Sequence, residues 1–131
     1  MQEIEFRGKD DSGIVNHDWL YGSLDNTDPQ FPKIMYCDRF WNVCSVIVTP
    51  ETIGQYTGLK DKNGKKIYEG DIVKAYFAYK TIICVVKWID CHYVIQSVKD
   101  HNYTYSLSQS FELEVIGNIH DKPELLEGGG C

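Results

Sequence analysis

Short runs in which apolar and polar residues alternate, separated by clusters of turn-forming residues, fill this chain from end to end. Ile4 and Phe6 share one face, with Glu3, Glu5 and Arg7 on the other, the period of two that marks a strand. Trp19–Leu24 is the next apolar stretch. Ile34–Cys37 and Phe40–Val48 follow as strands around a turn at Asp38-Arg39, the second rich in β-branched Val43, Val46, Ile47 and Val48. Thr49-Pro50-Glu51-Thr52 predicts one helical turn, with Thr49 as N-cap and Pro50 at the first helical position. Ile72–Tyr79, Thr81–Ile89 and His92–Val98 predict three more strands, with Lys80 and Asp90-Cys91 as turns. The middle one is the most apolar run in the chain, as expected of a strand covered on both faces or carrying a bulge. Tyr103–Leu107 alternates, and Phe111, Leu113 and Val115 alternate cleanly against Glu112 and Glu114. Glu124–Leu126 predicts a second single turn that docks Leu125 or Leu126. Two polar loops, Gly8–Asn16 and Asp25–Pro32, separate the early strands. Roughly eight to ten short strands result, too closely spaced for βαβ units. The expected fold is mainly β: a small barrel with additional N-terminal strands and one or two single-turn helices. Residues 1–127 read as one domain and 128–131 as a flexible tail.

The densest punctuation lies in Gly54–Val73, GQYTGLKDKNGKKIYEGDIV. Asn63-Gly64 is the dipeptide that suits a type I′ hairpin turn, which needs positive φ at both centres. The polar flanks make this a short-legged hairpin. Glu69-Gly70-Asp71 then interrupts an apolar segment, and Gly70 is where a bulge or a left-handed residue is expected.

Composition narrows the classes of function. At 131 residues the chain can bury about two-thirds of its unfolded surface without staples. The net charge of -6 argues against non-specific binding to nucleic acid or anionic membrane, since both need a positive field. Met1–Lys9 reads as a first strand rather than a signal peptide, and no apolar run is long enough to span a bilayer. The expected location is therefore the cytoplasm. Of five cysteines, Cys37/Cys44 and Cys84/Cys91 each enclose six residues, too many for a zinc knuckle. Those four are expected to be reduced, buried and hydrophobic in role. Cys131 ends a glycine tail outside the fold.

The search for chemistry returns little. No P-loop, dinucleotide fingerprint, HExxH, EF-hand loop or GxSxG occurs, and no cofactor is expected. Cys91 and His92 would point to opposite faces of a strand, and Cys84 with His92 across a hairpin is the remaining thiol–imidazole pair to weigh. Glu69 and Asp71 would share a face in a strand, a spacing that could serve metal-dependent hydrolysis. The ordinary reading has Asp71 accepting turn amide hydrogens. Lys60, Lys62, Lys65 and Lys66 form the one basic cluster, interleaved with Tyr56, Tyr68, Tyr76 and Tyr79, and joined by Arg39 if strand pairing brings it near. Lysines beside aromatics are what single-strand binders use, and also what a solvated hairpin tip looks like. Nine tyrosines and three tryptophans supply a third reading, an interface or homo-oligomer built on Trp19, Trp41 or a tyrosine-rich surface.

EIEFRGKD at the start, WLYGSL (Trp19–Leu24), VTPETIGQYTGLKDKNGKKIYEGDIV (Val48–Val73) and EVIGNIHDKPELL (Glu114–Leu126) together resemble the YopX family of bacteriophage and prophage proteins. The motifs keep their order across nearly the whole chain. The stretches Asp25–Ile47 and Lys74–Leu113 resemble the family only in hydrophobic character, and Gly8 stands where the family usually has alanine. The resemblance implies an SH3-like barrel with extra N-terminal elements and an origin in a phage or prophage of a bacterial host. It implies no activity and carries no catalytic residues. The matching positions are Gln55, Tyr56, Thr57, Gly58, Leu59, Asp61, Asn63, Gly64, Glu69, Gly70 and Asp71, read as structural motif. The leading expectation is a non-enzymatic accessory protein that binds a protein partner or itself. Nucleic-acid binding through the Lys60–Lys66 hairpin comes next, and a hydrolase using Glu69 and Asp71 last.

Overall fold

The computed structural model describes residues 4–10, 19–99, 103–107 and 112–126. Gly13, Ile14, Val15, Phe111 and the tail 128–131 with Cys131 lie outside the described residues. The chain divides into two compact units, Met1–Tyr56 and Thr57–Cys131.

The first unit is an antiparallel ladder in the order β4-β3-β2-β1-β5, where β1 is Phe6–Lys9, β2 Trp19–Asp25, β3 Lys33–Cys37, β4 Val43–Ile47 and β5 Gly54–Lys60. β1 is central: Arg7 pairs with Tyr21 on one side and Gly54 on the other. A 3-10 turn at Pro50–Thr52 follows β4, where Thr49-Pro50 predicts one. The cap differs from expectation, because the Thr49 side chain makes no capping bond. Instead the Thr52 hydroxyl donates to the Thr49 carbonyl at 2.6 Å and accepts from the Lys9 amide at 2.9 Å, fastening the turn to β1. Gly8 lies against this segment so closely that an added Cβ would stand 2.7 Å from a Val48 methyl. Glycine at position 8 is therefore matched to Val48.

The second unit takes up β5 at Thr57, sets β6 (Lys66–Tyr68) beside it, and adds a five-stranded ladder in the order β10-β9-β8-β7-β11. Its strands are β7 Asp71–Tyr76, β8 Thr81–Ile89, β9 His92–Ser97, β10 Thr104–Ser106 and β11 Glu112–Asn118. Ile67, Val73, Ala75, Cys84, Val86, Ile95 and Leu113 form its core. The apolar centre of β8 is buried, as its composition predicts, while Lys87 and Trp88 beyond it are exposed. β11 carries a bulge between Val115 and Gly117. Leu125, from the 3-10 turn Pro123–Leu126, docks there, its methyl 3.3 Å from where a Cβ on Gly117 would lie.

Three expectations need correction. The mainly β fold stands, but the small barrel does not: the strands form two antiparallel sheets, and neither closes on itself. One obstacle to closure is visible at β11. Its outer edge is already occupied by the turn after β5, where the Lys62 amide donates to the Leu113 carbonyl at 2.9 Å. Second, the strand expected over 72–79 ends at Tyr76, and Tyr79 is fully solvent-exposed in the turn before β8. Third, of the four cysteines among the described residues only Cys84 is buried; Cys37 and Cys91 are exposed and Cys44 is half-buried. Cys37 alternates onto an exposed strand face, and Cys91 sits in a turn.

Candidate functional site

Two hairpin turns in the two units are built on one template. In the first, Asp38 begins the loop between β3 and β4. Its amide donates to the Asn42 carbonyl at 2.9 Å, and its carbonyl accepts from the Trp41 amide at 3.0 Å. Its Oδ1 accepts from the Phe40 and Asn42 amides at 2.8 and 2.9 Å. In the second, Asp61 begins the loop between β5 and β6. Its amide donates to the Lys65 carbonyl at 2.8 Å, and its carbonyl accepts from the Gly64 amide at 3.0 Å. Its Oδ1 accepts from the Asn63 and Lys65 amides at 2.8 and 2.9 Å. Each is a three-residue loop whose last residue is left-handed. In the second loop that residue is Gly64, with φ of 83°. Asn63 is not left-handed, so the expected type I′ turn is absent there. It occurs instead at Asp90-Cys91, φ 51° and 68°, between the paired residues Ile89 and His92.

In the first loop the left-handed residue is Trp41, with φ of 65°. A side chain in that conformation brings its Cβ against the backbone, at a cost of about 1–2 kcal/mol that glycine avoids. The indole is not repaid by burial, since Trp41 is 86 % exposed. Phe40 beside it is also exposed, with the Arg39 guanidinium 5.4 Å from its ring centre. The neighbouring sheet face continues the apolar surface. Val43 is 69 % and Ile47 49 % exposed, and Met35 and Tyr21 are exposed too. Met35 pairs with both Ser23 and Ser45 in the ladder. Trp19, the other candidate interface residue, is half-buried at the start of β2, with the Arg7 guanidinium 4.6 Å above its ring.

The basic cluster keeps its lysines but not its stacking platform. Lys60, Lys62 and Lys65 are exposed and Lys66 half-buried around the Asp61 turn. Tyr56 and Tyr68 are each only 4 % exposed, so neither ring offers a face to a base. The aromatic beside these lysines is Tyr76, with the Lys62 ammonium 4.4 Å from its ring centre. The Tyr76 hydroxyl donates to Glu114 at 2.8 Å, which, with burial and the charges of Glu114 and Glu112, raises its pKa. Arg39 sits on the β3–β4 loop, and among the described residues β4 pairs with no strand other than β3.

Asp61 is the hub of the central stretch in a physical sense. Besides its two turn bonds, Oδ2 accepts from the Val115 amide on β11 at 3.0 Å. Burial alone would raise its pKa, but the three amides and the nearby Lys65 charge outweigh that and hold it below its ordinary value. Thr57 ties β5 to β6 through its hydroxyl, which donates to the Ile67 carbonyl at 2.8 Å. Gly58 and Gly70 both have positive φ, 91° and 92°, so the left-handed residue expected at Gly70 is found. Asp71 is buried and accepts from the Tyr68 amide at 2.7 Å, closing the turn across Glu69-Gly70. Glu69 lies in that turn, so the shared strand face needed for a two-carboxylate site is not formed. Cys84 pairs in register with Ser97 and His92 with Ile89, which separates the thiol and imidazole by several rungs. Burial pushes the Cys84 thiol up to about 11. Among the described residues no three His, Cys, Asp or Glu side chains cluster as a metal site would need. Nor is any described helix long and apolar enough to cross a membrane.

Sequence reasoning missed the role of Asp38 and the conformation of Trp41. A signal for both was present: Asp38 and Asp61 each stand four residues before the residue that closes a hairpin, Asn42 and Lys65. The Gly64 position in one loop aligns with Trp41 in the other.

Antiparallel sheets with aspartate-pinned hairpins, an apolar face and no assembled catalytic group among the described residues define a mainly β protein whose distinctive surface is a hairpin tip. The chain matches the family described as YopX protein over residues 5–127, and it belongs to that family. Two solved structures are similar to it. Protein EF1440 from Enterococcus faecalis is 25% identical, with a TM-score of 0.53, over 97% of this chain and 100% of that one. Protein yopX from Bacillus subtilis is 21% identical, with a TM-score of 0.62, over the same shares of each chain. No curated protein matches.

Proposed function

We propose that this chain is a non-enzymatic accessory protein of phage or prophage origin, acting in the cytoplasm of a bacterial host by binding protein, either a partner or a second copy. The observation that carries the reading is Trp41: a large aromatic held in a left-handed loop position and presented to solvent. The matching loop uses glycine at the same place, so the tryptophan is retained against a local cost. Exposed tryptophans are the side chains that most often anchor protein interfaces. Val43, Ile47 and Met35 supply an apolar surround. The five-stranded ladder of the second unit, open rather than closed into a barrel, serves here as scaffold.

The test is affinity capture from bacterial cells carrying an induced prophage, with wild-type and Trp41→Gly baits, each with and without nuclease. Light scattering of both purified proteins accompanies it. The reading expects a protein complex or self-association that survives nuclease and weakens at least tenfold with Trp41→Gly. Material lost to nuclease from both baits would overturn it in favour of nucleic-acid binding through the lysine hairpin. Association unchanged by the substitution would overturn the role of the tip.

A further inference from the structure

The free edge of β4 has properties that a solitary edge strand ordinarily lacks. The Asp38 amide bonds to the Asn42 carbonyl and the Val48 amide to the Pro32 carbonyl. These two pairs bracket the β3–β4 register, in which Tyr36 faces Cys44 and Ile34 faces Val46. Hydrogen-bonded pairs alternate in an antiparallel ladder. Cys44 and Val46 therefore turn their amides and carbonyls toward β3, and Val43, Ser45 and Ile47 turn theirs outward. Among the described residues, β4 has β3 on one side and no strand on the other. Edges of this kind are normally blunted by lysine, proline, a bulge or a covering segment. Val43–Val48 has no charge and no proline, and the β3–β4 register runs without a bulge. The edge of β11, by contrast, is covered by the Asp61 turn, and β10 is only three residues long.

We propose that β4 pairs antiparallel with β4 of a second copy about a two-fold axis at Ser45, making the two first-unit sheets continuous. This rests on the protein-binding reading above and names its partner. The strand is self-complementary about that axis: Val43 faces Ile47 of the second copy, and Ser45 faces Ser45. The outward amides and carbonyls of Val43, Ser45 and Ile47 then satisfy one another, since these are the residues that fall in hydrogen-bonded pairs. Their side chains lie on the exposed face in both copies, so an apolar Val43–Ile47 pair flanks the two serines on each side of the axis. Charge complementarity favours this occupant. No like charges meet along the strand, and exposed residues of opposite sign, Arg39 and Glu51, flank its two ends. Antiparallel pairing sets the Arg39 end of one copy beside the Glu51 end of the other. A two-fold contact of this type closes at two chains.

The test is light scattering on size-exclusion fractions of the full chain from micromolar to about millimolar concentration. Ser45→Pro removes one outward amide and leaves the β3–β4 bonds intact, since Ser45 donates nothing to β3. Ser45→Lys sets two ammonium groups opposite each other at the axis. Wild type is expected at twice the 15.1 kDa chain mass, and both variants at the single mass with unchanged circular dichroism. A wild type that stays monomeric throughout overturns the pairing and leaves the Trp41 reading to the capture experiment. A dimer that persists in both variants overturns the edge contact. If that dimer is lost with Trp41→Gly, the tip reading stands without it.

Discussion

A single backbone angle makes Trp41 informative. Gly64 and Trp41 fill the same position of the same loop, so each predicts what the other would do. Trp41→Gly is expected to raise stability by about 1 kcal/mol despite removing a large side chain, because the ring buries little and the strain is relieved. Gly64→Ala is expected to lower it by a similar amount. Urea unfolding midpoints check both. The cysteines offer a second test at this scale. Cys84 is buried with a raised pKa, and thiols react as thiolates. In native protein at pH 8, a thiol reagent should label Cys37 and Cys91 and spare Cys84, which should label only in denaturant. Peptide mapping by mass spectrometry reads the result. Composition could not separate these thiols, because their exposure depends on which face of a strand alternates outward and where a turn falls.

At the scale of elements, the aspartate-pinned turn does more than reverse the chain. Asp61→Ala would leave the Asn63, Lys65 and Val115 amides without their acceptor, a loss of about 3 kcal/mol. The pH dependence has a definite sign. The folded pKa of Asp61 lies below its ordinary value of 3.8. Its contribution is therefore complete above the unfolded pKa and is lost as pH falls through the folded one. Wild type should show a steeper acid limb than Asp61→Asn below about pH 4, measured as urea midpoint against pH. Much at this scale was legible in the chain. Period-two patterning located most of the strands, Thr49-Pro50 located the 3-10 turn, and Glu69-Gly70-Asp71 located the left-handed bend, but β5 was missed because Gly54 and Gly58 make it read as punctuation. The turn at Asn63-Gly64 was placed correctly and typed wrongly. The carboxylate of Asp61, two residues earlier, captures the Asn63 amide and with it sets a three-residue loop, and dipeptide preference does not see that competitor.

For the whole molecule, topology was the least legible feature. Alternation says which residues face inward but not which strands meet, and two open sheets carry the same pattern as one small barrel. The candidate site divided similarly. Lys60, Lys62 and Lys65 are exposed around their turn, while Tyr56 and Tyr68 are withdrawn from it by burial that local sequence does not encode. With a net charge of -6 and no open stacking face at those tyrosines, a labelled single-stranded oligonucleotide should show no polarisation change at about 50 mM salt. Binding there that weakens steeply with salt would restore the lysine hairpin as a site.

The Asp61 turn lies along β11 and bonds to Leu113 and Val115. Weakening it does more than loosen a hairpin: it strips a seven-residue strand of its cover and leaves a template onto which other molecules can add. Damage at this aspartate should therefore surface first as insoluble deposits and poor recovery from cells, and only afterwards as a lower melting temperature.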